Sequence, residues 1–260
     1  MRCSRWILLA LLGLGYAIAL VHGGLGLATL PVFAALVLAG WLVRPGRASW
    51  LKACGHCLFV ALALALALHK LPGFDNALVV DNLRFSPDAA PFSMRLNLDK
   101  PLIGFWLLLA CPWIIGARRG PRRLWLAPLT VVACLGGAWV AGVVAWAPKW
   151  PDQVWIFALN NLLLVSLTEE ALFRGYLQGS LQRLFAPLRH GAHLALALAA
   201  LLFGLAHVGG GWAWVALATL AGVGYGLAWR HGGLPAALLS HFAVNLTHFV
   251  FLTYPHIGAP

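Results

Sequence analysis

Apolar residues gather in nine long runs, at 6–21, 27–43, 50–68, 101–116, 124–147, 153–177, 192–207, 212–229 and 234–252. Most approach the roughly 20 helical residues that cross a hydrocarbon layer of about 30 Å. Inside lipid a segment must satisfy its own backbone N–H and C=O groups, which an isolated run can do only as a helix. The pattern therefore predicts an all-α fold, a polytopic transmembrane helical bundle of about eight or nine spans. The first run, behind Arg2 and Arg5, also has the shape of a signal peptide over residues 1–21.

Between the third and fourth runs lies the one sizeable polar stretch, 69–100, holding Asp75, Asp81, Asp88 and Asp99 together with turn formers such as Leu71-Pro72-Gly73. It reads as an outer connection. The other Asp, Asp152, also falls in a loop. No internal repeat relates the two halves, which weighs against an inverted-repeat transporter. The motif-free residues 1–150 read as N-terminal transmembrane helices, and 151–260 as a separate helical core.

Composition sharpens this picture. Of 260 residues, 62% are hydrophobic and 10% charged, which excludes a soluble domain. The net charge of +11 suggests nucleic acid only until the basic residues are placed. With a cytoplasmic N-terminus, the inside loops contain Arg2, Arg5, Arg44, Arg47, Lys52, Arg118, Arg119, Arg122, Arg123, Arg183, Arg189 and Arg230. The outside loops hold Lys70, Arg84, Arg95, Lys100 and Lys149. That bias obeys the positive-inside rule through successive crossings, so the charge belongs to a lipid bilayer and no nucleic-acid partner is expected. The five Cys lie in or beside apolar segments, and Cys54-Gly-His-Cys57 is half a zinc site with no second pair, so neither a disulfide framework nor a structural zinc follows.

Within the last 110 residues polar side chains enter the apolar runs. The only two Glu of the chain, Glu169 and Glu170, are adjacent in such a run, with Arg174 four residues after Glu170. A carboxylate there costs several kcal/mol unless partnered, so it is a functional candidate by default. Its bland alternative is a buried ion pair that locks helices together. Phe203 and His207 follow at i and i+4, then His241 and Asn245 at the same spacing, with Ser240, Thr247 and His248 nearby. A single His in an apolar helix is more often packing than chemistry. Three such signals on neighbouring helices make a shared polar cluster. From the expected helix ends, Glu169 lies about 12 Å deep and His241 about 10 Å, whereas His207 comes out near 20 Å.

A carboxylate, two imidazoles and an amide activate water in either of two ways. The carboxylate acts as general base while the others stabilise the oxyanion, or Glu169, His207 and His241 hold a divalent metal such as zinc that acidifies bound water. A His-Glu-x-x-His site is impossible because Thr168 precedes the Glu pair. An aspartyl protease needs intramembrane Asp. Ser166 and Ser240 are serine candidates by location alone.

Glu169-Glu170-Ala-Leu-Phe-Arg174, Phe203-x-x-x-His207 and His241-x-x-x-Asn245 resemble, in order and spacing, the three motifs of the CAAX-protease and bacteriocin-processing family of glutamic-type intramembrane proteases. The resemblance spans about 150–252. It implies a helical membrane fold with Glu169, His207, His241 and Asn245 catalytic, Glu170, Arg174 and Phe203 supporting, and metal dependence open. It also implies a membrane-associated protein or peptide substrate. No sign of a eukaryotic organelle address appears, so a bacterial inner membrane and an unprenylated membrane-anchored protein or peptide substrate are expected. Two other readings share these features: a non-proteolytic immunity factor or chaperone on the same fold, and a proton-coupled transporter.

Overall fold

In a computed structural model of the chain, residues 2–116 and 125–258 are described, so the basic stretch expected inside at 118–123 lies outside them. Among the described residues there are nine helices: α1 (Arg2–Val21), α2 (Leu30–Leu42), α3 (Ser49–Ala67), α4 (Pro101–Ala110), α5 (Trp113–Gly116), α6 (Leu126–Val140), α7 (Val154–Leu184), α8 (Gly191–Leu205) and α9 (Trp212–Phe251). Helices α3, α7 and α9 are long and apolar enough to cross a membrane, and the others supply shorter apolar stretches. The fold is mostly helical, as the runs predict.

The run at 101–116 is broken at Cys111-Pro112, where Pro cannot continue the ladder and biases the residue before it away from helix. The run ending at 177 continues as helix to Leu184, because Ser180, Gln182 and Arg183 leave the apolar window without leaving the helical register. The polar stretch 69–100 is more than a connection: β1 (Ala77–Leu83) and β2 (Phe92–Leu96) pair as a hairpin. This is the departure from an all-α chain.

The chain forms two compact units, residues 1–78 with 95–112, and 79–94 with 113–260. The first unit contains α1 to α4. Phe59 of α3 stacks on Trp106 of α4 with ring centroids 3.8 Å apart, and Trp106 Nε1–H donates to the Leu36 carbonyl of α2 at 2.9 Å. The buried Asp99 accepts from His69 Nδ1 at 2.5 Å, from the Lys100 amide at 2.9 Å and from Asn76 at 3.3 Å.

The second unit contains α5 to α9 and residues 79–94 of the hairpin. Val80 and Met94 bury their side chains with Val154, Phe157, Phe249 and Val250. A second cluster joins Cys134 of α6 to Phe203 of α8 and Ala218, Tyr225 and Val244 of α9. The boundary expected near 150 divides motif-bearing from motif-free sequence, whereas α6 and part of the hairpin pack with the motif-bearing helices.

Helix α9 is not a straight rod. Forty residues at 1.5 Å would extend about 60 Å, yet Tyr225 stacks on His241 at 4.6 Å and Trp214 meets His248 at 6.0 Å. Both pairs centre near Gly233, whose φ of 72° and ψ of −165° interrupt the helix in a conformation open to glycine. The halves 212–232 and 234–251 therefore run back along each other, which keeps the two expected runs distinct. At the far end residues 251–257 are stitched to 143–147. Thr253 donates its amide to the Ala145 carbonyl at 2.9 Å, and Ile257 donates to Val143 at 3.0 Å.

Candidate active site

The Glu pair sits in Leu167–Glu170, a short α-helical piece of α7 flanked by two π-helical segments, Asn161–Ser166 and Ala171–Gln178. Each π turn holds an extra residue and re-aims the side chains beyond it, an arrangement concentrated at functional sites. Two adjacent helical residues point about 100° apart, and the two carboxylates accordingly have different surroundings.

Glu170 is fully buried. Its Oε2 accepts from Arg174 Nε at 3.1 Å and its Oε1 from His241 Nδ1 at 2.9 Å. Arg174 is equally buried. Its guanidinium lies 4.9 Å over the Phe203 ring and 5.8 Å from that of Tyr225, while neither Nη has a hydrogen-bond partner among the described residues. Aromatic faces take the part of the positive charge that Glu170 does not.

Glu169 is the free carboxylate. Its side chain is 29% exposed, its Oε2 is enclosed without a hydrogen-bond partner among the described residues, and that oxygen lies 4.0 Å from His241 Nε2. Because a carboxylate only accepts, the bond to Glu170 puts the His241 proton on Nδ1 and leaves Nε2 facing Glu169. Tyr225 stacks on one face of the imidazole, with planes 12° apart, and Phe203 meets it edge-on at 5.8 Å.

His207 lies just past the end of α8, in the turn before Val208–Gly210, rather than inside a span. Its Nδ1–H donates to the Phe203 carbonyl at 2.8 Å, closing the last helical turn and leaving Nε2 available. The depth mismatch noted for His207 narrows against Glu169. With α7 continued to Leu184, Glu169 stands about 22 Å from the end it shares with α8, and His207 about 24 Å.

Asn245 donates Nδ2–H to Asn161 Oδ1 at 3.3 Å, and Ser166 Oγ donates to the same oxygen at 3.0 Å. His248 is buried and bonds through Nε2 to the Thr253 carbonyl at 3.2 Å. Glu169, His207, His241 and Asn245 all line one cavity of about 130 Å³, with Cys134, Tyr225 and His248 on its wall. Several waters fit such a volume. Ser240 is not on its wall, and Ser166 is engaged with Asn161.

The structure thus brings together the four residues expected to be catalytic and, beside them, Glu170, Arg174 and Phe203. Sequence reasoning passed over Asn161 and Tyr225. Asn161 carried a signal, an amide inside an apolar run. Tyr225 carried none, since an aromatic residue in an apolar helix reads as packing.

A catalytic zinc takes three protein ligands at about 2.0–2.2 Å. Among the described residues no three His, Cys, Asp or Glu side chains converge as such a set. Glu169, His207 and His241 as placed do not fit a three-ligand site, and no step below runs through a metal.

Residues 151–247 match the family model described as type II CAAX prenyl endopeptidase, Rce1-like. No curated protein and no solved structure matches the chain. The matched segment begins just before α7 and ends two residues past Asn245, so it includes every motif position. Residues 151–247 are therefore similar to the Rce1-like, type II CAAX prenyl endopeptidase family.

Proposed function

We propose that this protein is an intramembrane endopeptidase that hydrolyses a peptide bond of a membrane-associated protein or peptide, with Glu169 as general base. The observation that carries this reading is that Glu169 lines a cavity and that its Oε2, without a hydrogen-bond partner among the described residues, lies 4.0 Å from His241 Nε2. A water admitted from the cavity by a small turn of the Glu169 side chain would donate to both atoms at about 2.8 Å.

In the reaction, Glu169 takes a proton as the water oxygen bonds to the scissile carbonyl carbon. Glu170 holds the His241 ring in one tautomer and one plane, the role a buried carboxylate plays behind a catalytic imidazole. The Asn245 amide hydrogen not given to Asn161 faces the carbonyl oxygen as it becomes an oxyanion. The C–N bond then breaks, and the proton held on Glu169 reaches the leaving amine, with His207 Nε2 beside the path. Water adds across the bond, no cofactor is consumed, and the Glu169 carboxylate is restored.

The protein is placed in a bacterial inner membrane, with the N-terminus on the cytoplasmic side that the positive-inside bias favours. The test in cells compares the C-terminal peptides of membrane proteins made with the intact chain and with Glu169→Gln. New C-termini that depend on Glu169 are expected. Identical peptide sets overturn the reading.

A further inference from the structure

We propose that Asn161 and Ser166 are positioning residues that set the Asn245 carboxamide for its work on the oxyanion, an inference that rests on the peptidase reading above. Asn161 and Ser166 are both buried, on the first π-helical segment of α7, Asn161–Ser166. In an ordinary α-helix, residues five apart point about 140° away from each other. In a π turn they come nearly into line, and the Ser166 hydroxyl reaches Asn161 Oδ1 at 3.0 Å. The departure from α-helix thus has a local purpose.

Asn161 Oδ1 accepts twice, from Ser166 Oγ and from Asn245 Nδ2 at 3.3 Å, and a carbonyl oxygen has two lone pairs to give. Ser166 therefore fixes the Asn161 carboxamide, and Asn161 fixes that of Asn245. With one Nδ2–H committed to Asn161, the other remains for the cavity that Asn245 shares with Glu169. Without the anchor the Asn245 amide is free to flip. Its Oδ1 would then meet the oxyanion and repel it, a loss felt only in the transition state.

The experiment is a double-mutant cycle in purified full-length protein. Its probe is a quenched-fluorescent peptide built on the cleavage site identified by the C-terminal comparison. Asn161→Leu should lower kcat about tenfold or more, and Ser166→Ala about threefold, with KM unchanged. In an Asn245→Ala background neither substitution should lower kcat further, because both act through that amide. If Asn161→Leu does not fold, Ser166→Ala completes the same cycle with one hydroxyl removed. Equal losses in both backgrounds, or no loss in either, overturn the positioning role. A wild-type rate in Asn245→Ala itself overturns the oxyanion assignment on which it rests.

Discussion

His241 hydrogen-bonds Glu170 through Nδ1 at 2.9 Å while its Nε2 stands 4.0 Å from Glu169. One imidazole thus separates two adjacent carboxylates into different roles. Glu170 is buried, paired and structural in its consequences, whereas Glu169 lines the cavity and keeps an oxygen with no hydrogen-bond partner among the described residues.

The buried Glu170–Arg174 pair carries a stability prediction. Arg174→Ala removes one partner and strands the other, which costs about 3–5 kcal/mol for a buried pair. Thermal unfolding in detergent should show a large fall in midpoint and in folded yield. The double replacement Glu170→Leu with Arg174→Met should recover part of that loss while remaining inactive. A double variant no more stable than Arg174→Ala contradicts the ion-pair account.

Tyr225 holds the His241 ring by stacking at 4.6 Å. Aromatic pairs contribute about 0.5–1.5 kcal/mol beyond area burial. Tyr225→Phe keeps the stack and should leave kcat within about twofold, whereas Tyr225→Leu should lose roughly 2–13-fold in kcat with KM little changed. Equal rates in the two variants would show that the ring does not position His241.

Lys149 lies outside the membrane-spanning segments, between α6 and α7. Its Nζ donates to the Ala147 carbonyl at 3.2 Å and to that of Leu252. Burial lowers its ammonium pKa to about 8. Below that value the charged, penalised form is present in the folded chain. As pH rises from about 8 towards the unfolded value of about 10.4, the unfolded chain binds more protons, so this group's contribution to stability increases. Acylation of Lys149 followed by mass spectrometry should have a pH midpoint near 8. A midpoint at the free-lysine value of about 10.4 refutes the shift.

Chelation tests the donor geometry. Because no three ligands converge among the described residues, purified protein should keep its turnover after exhaustive chelation, with metal content well below one per chain. Loss of activity that zinc restores would mean that Glu169, His207 and His241 close into a site when substrate or metal arrives.

Much of this was legible in the sequence because membrane helices must be apolar and continuous, so Glu169, Glu170, Arg174, His207, His241 and Asn245 stand out against their background. The reversal at Gly233 was also legible, since Gly232-Gly233-Leu-Pro235 interrupts the apolar pattern. The hairpin was not. Ala77-Leu-Val-Val-Asp-Asn-Leu83 lacks clean two-residue alternation, and its burial is supplied by Phe157 and Phe249, far along the chain. The π turns were equally hidden, because composition does not reveal one extra residue in a turn. Asn161, an amide in an apolar run, gained its meaning only when the π turn brought Ser166 to it and α9 brought Asn245.

The central claim is that Glu169 takes the proton from the attacking water. Glu169→Gln keeps size and shape but removes the basic oxygen, and Glu170→Gln serves as its neighbour control. The measurement is single-turnover cleavage by each purified, folded variant of the peptide identified by the C-terminal comparison. Glu169→Gln should lose at least about 10²–10⁴-fold in rate, the range of general-base catalysis, while binding the peptide as tightly as wild type. Glu170→Gln should lose less. A well-folded Glu169→Gln protein that cleaves at the wild-type rate would remove this residue from the mechanism.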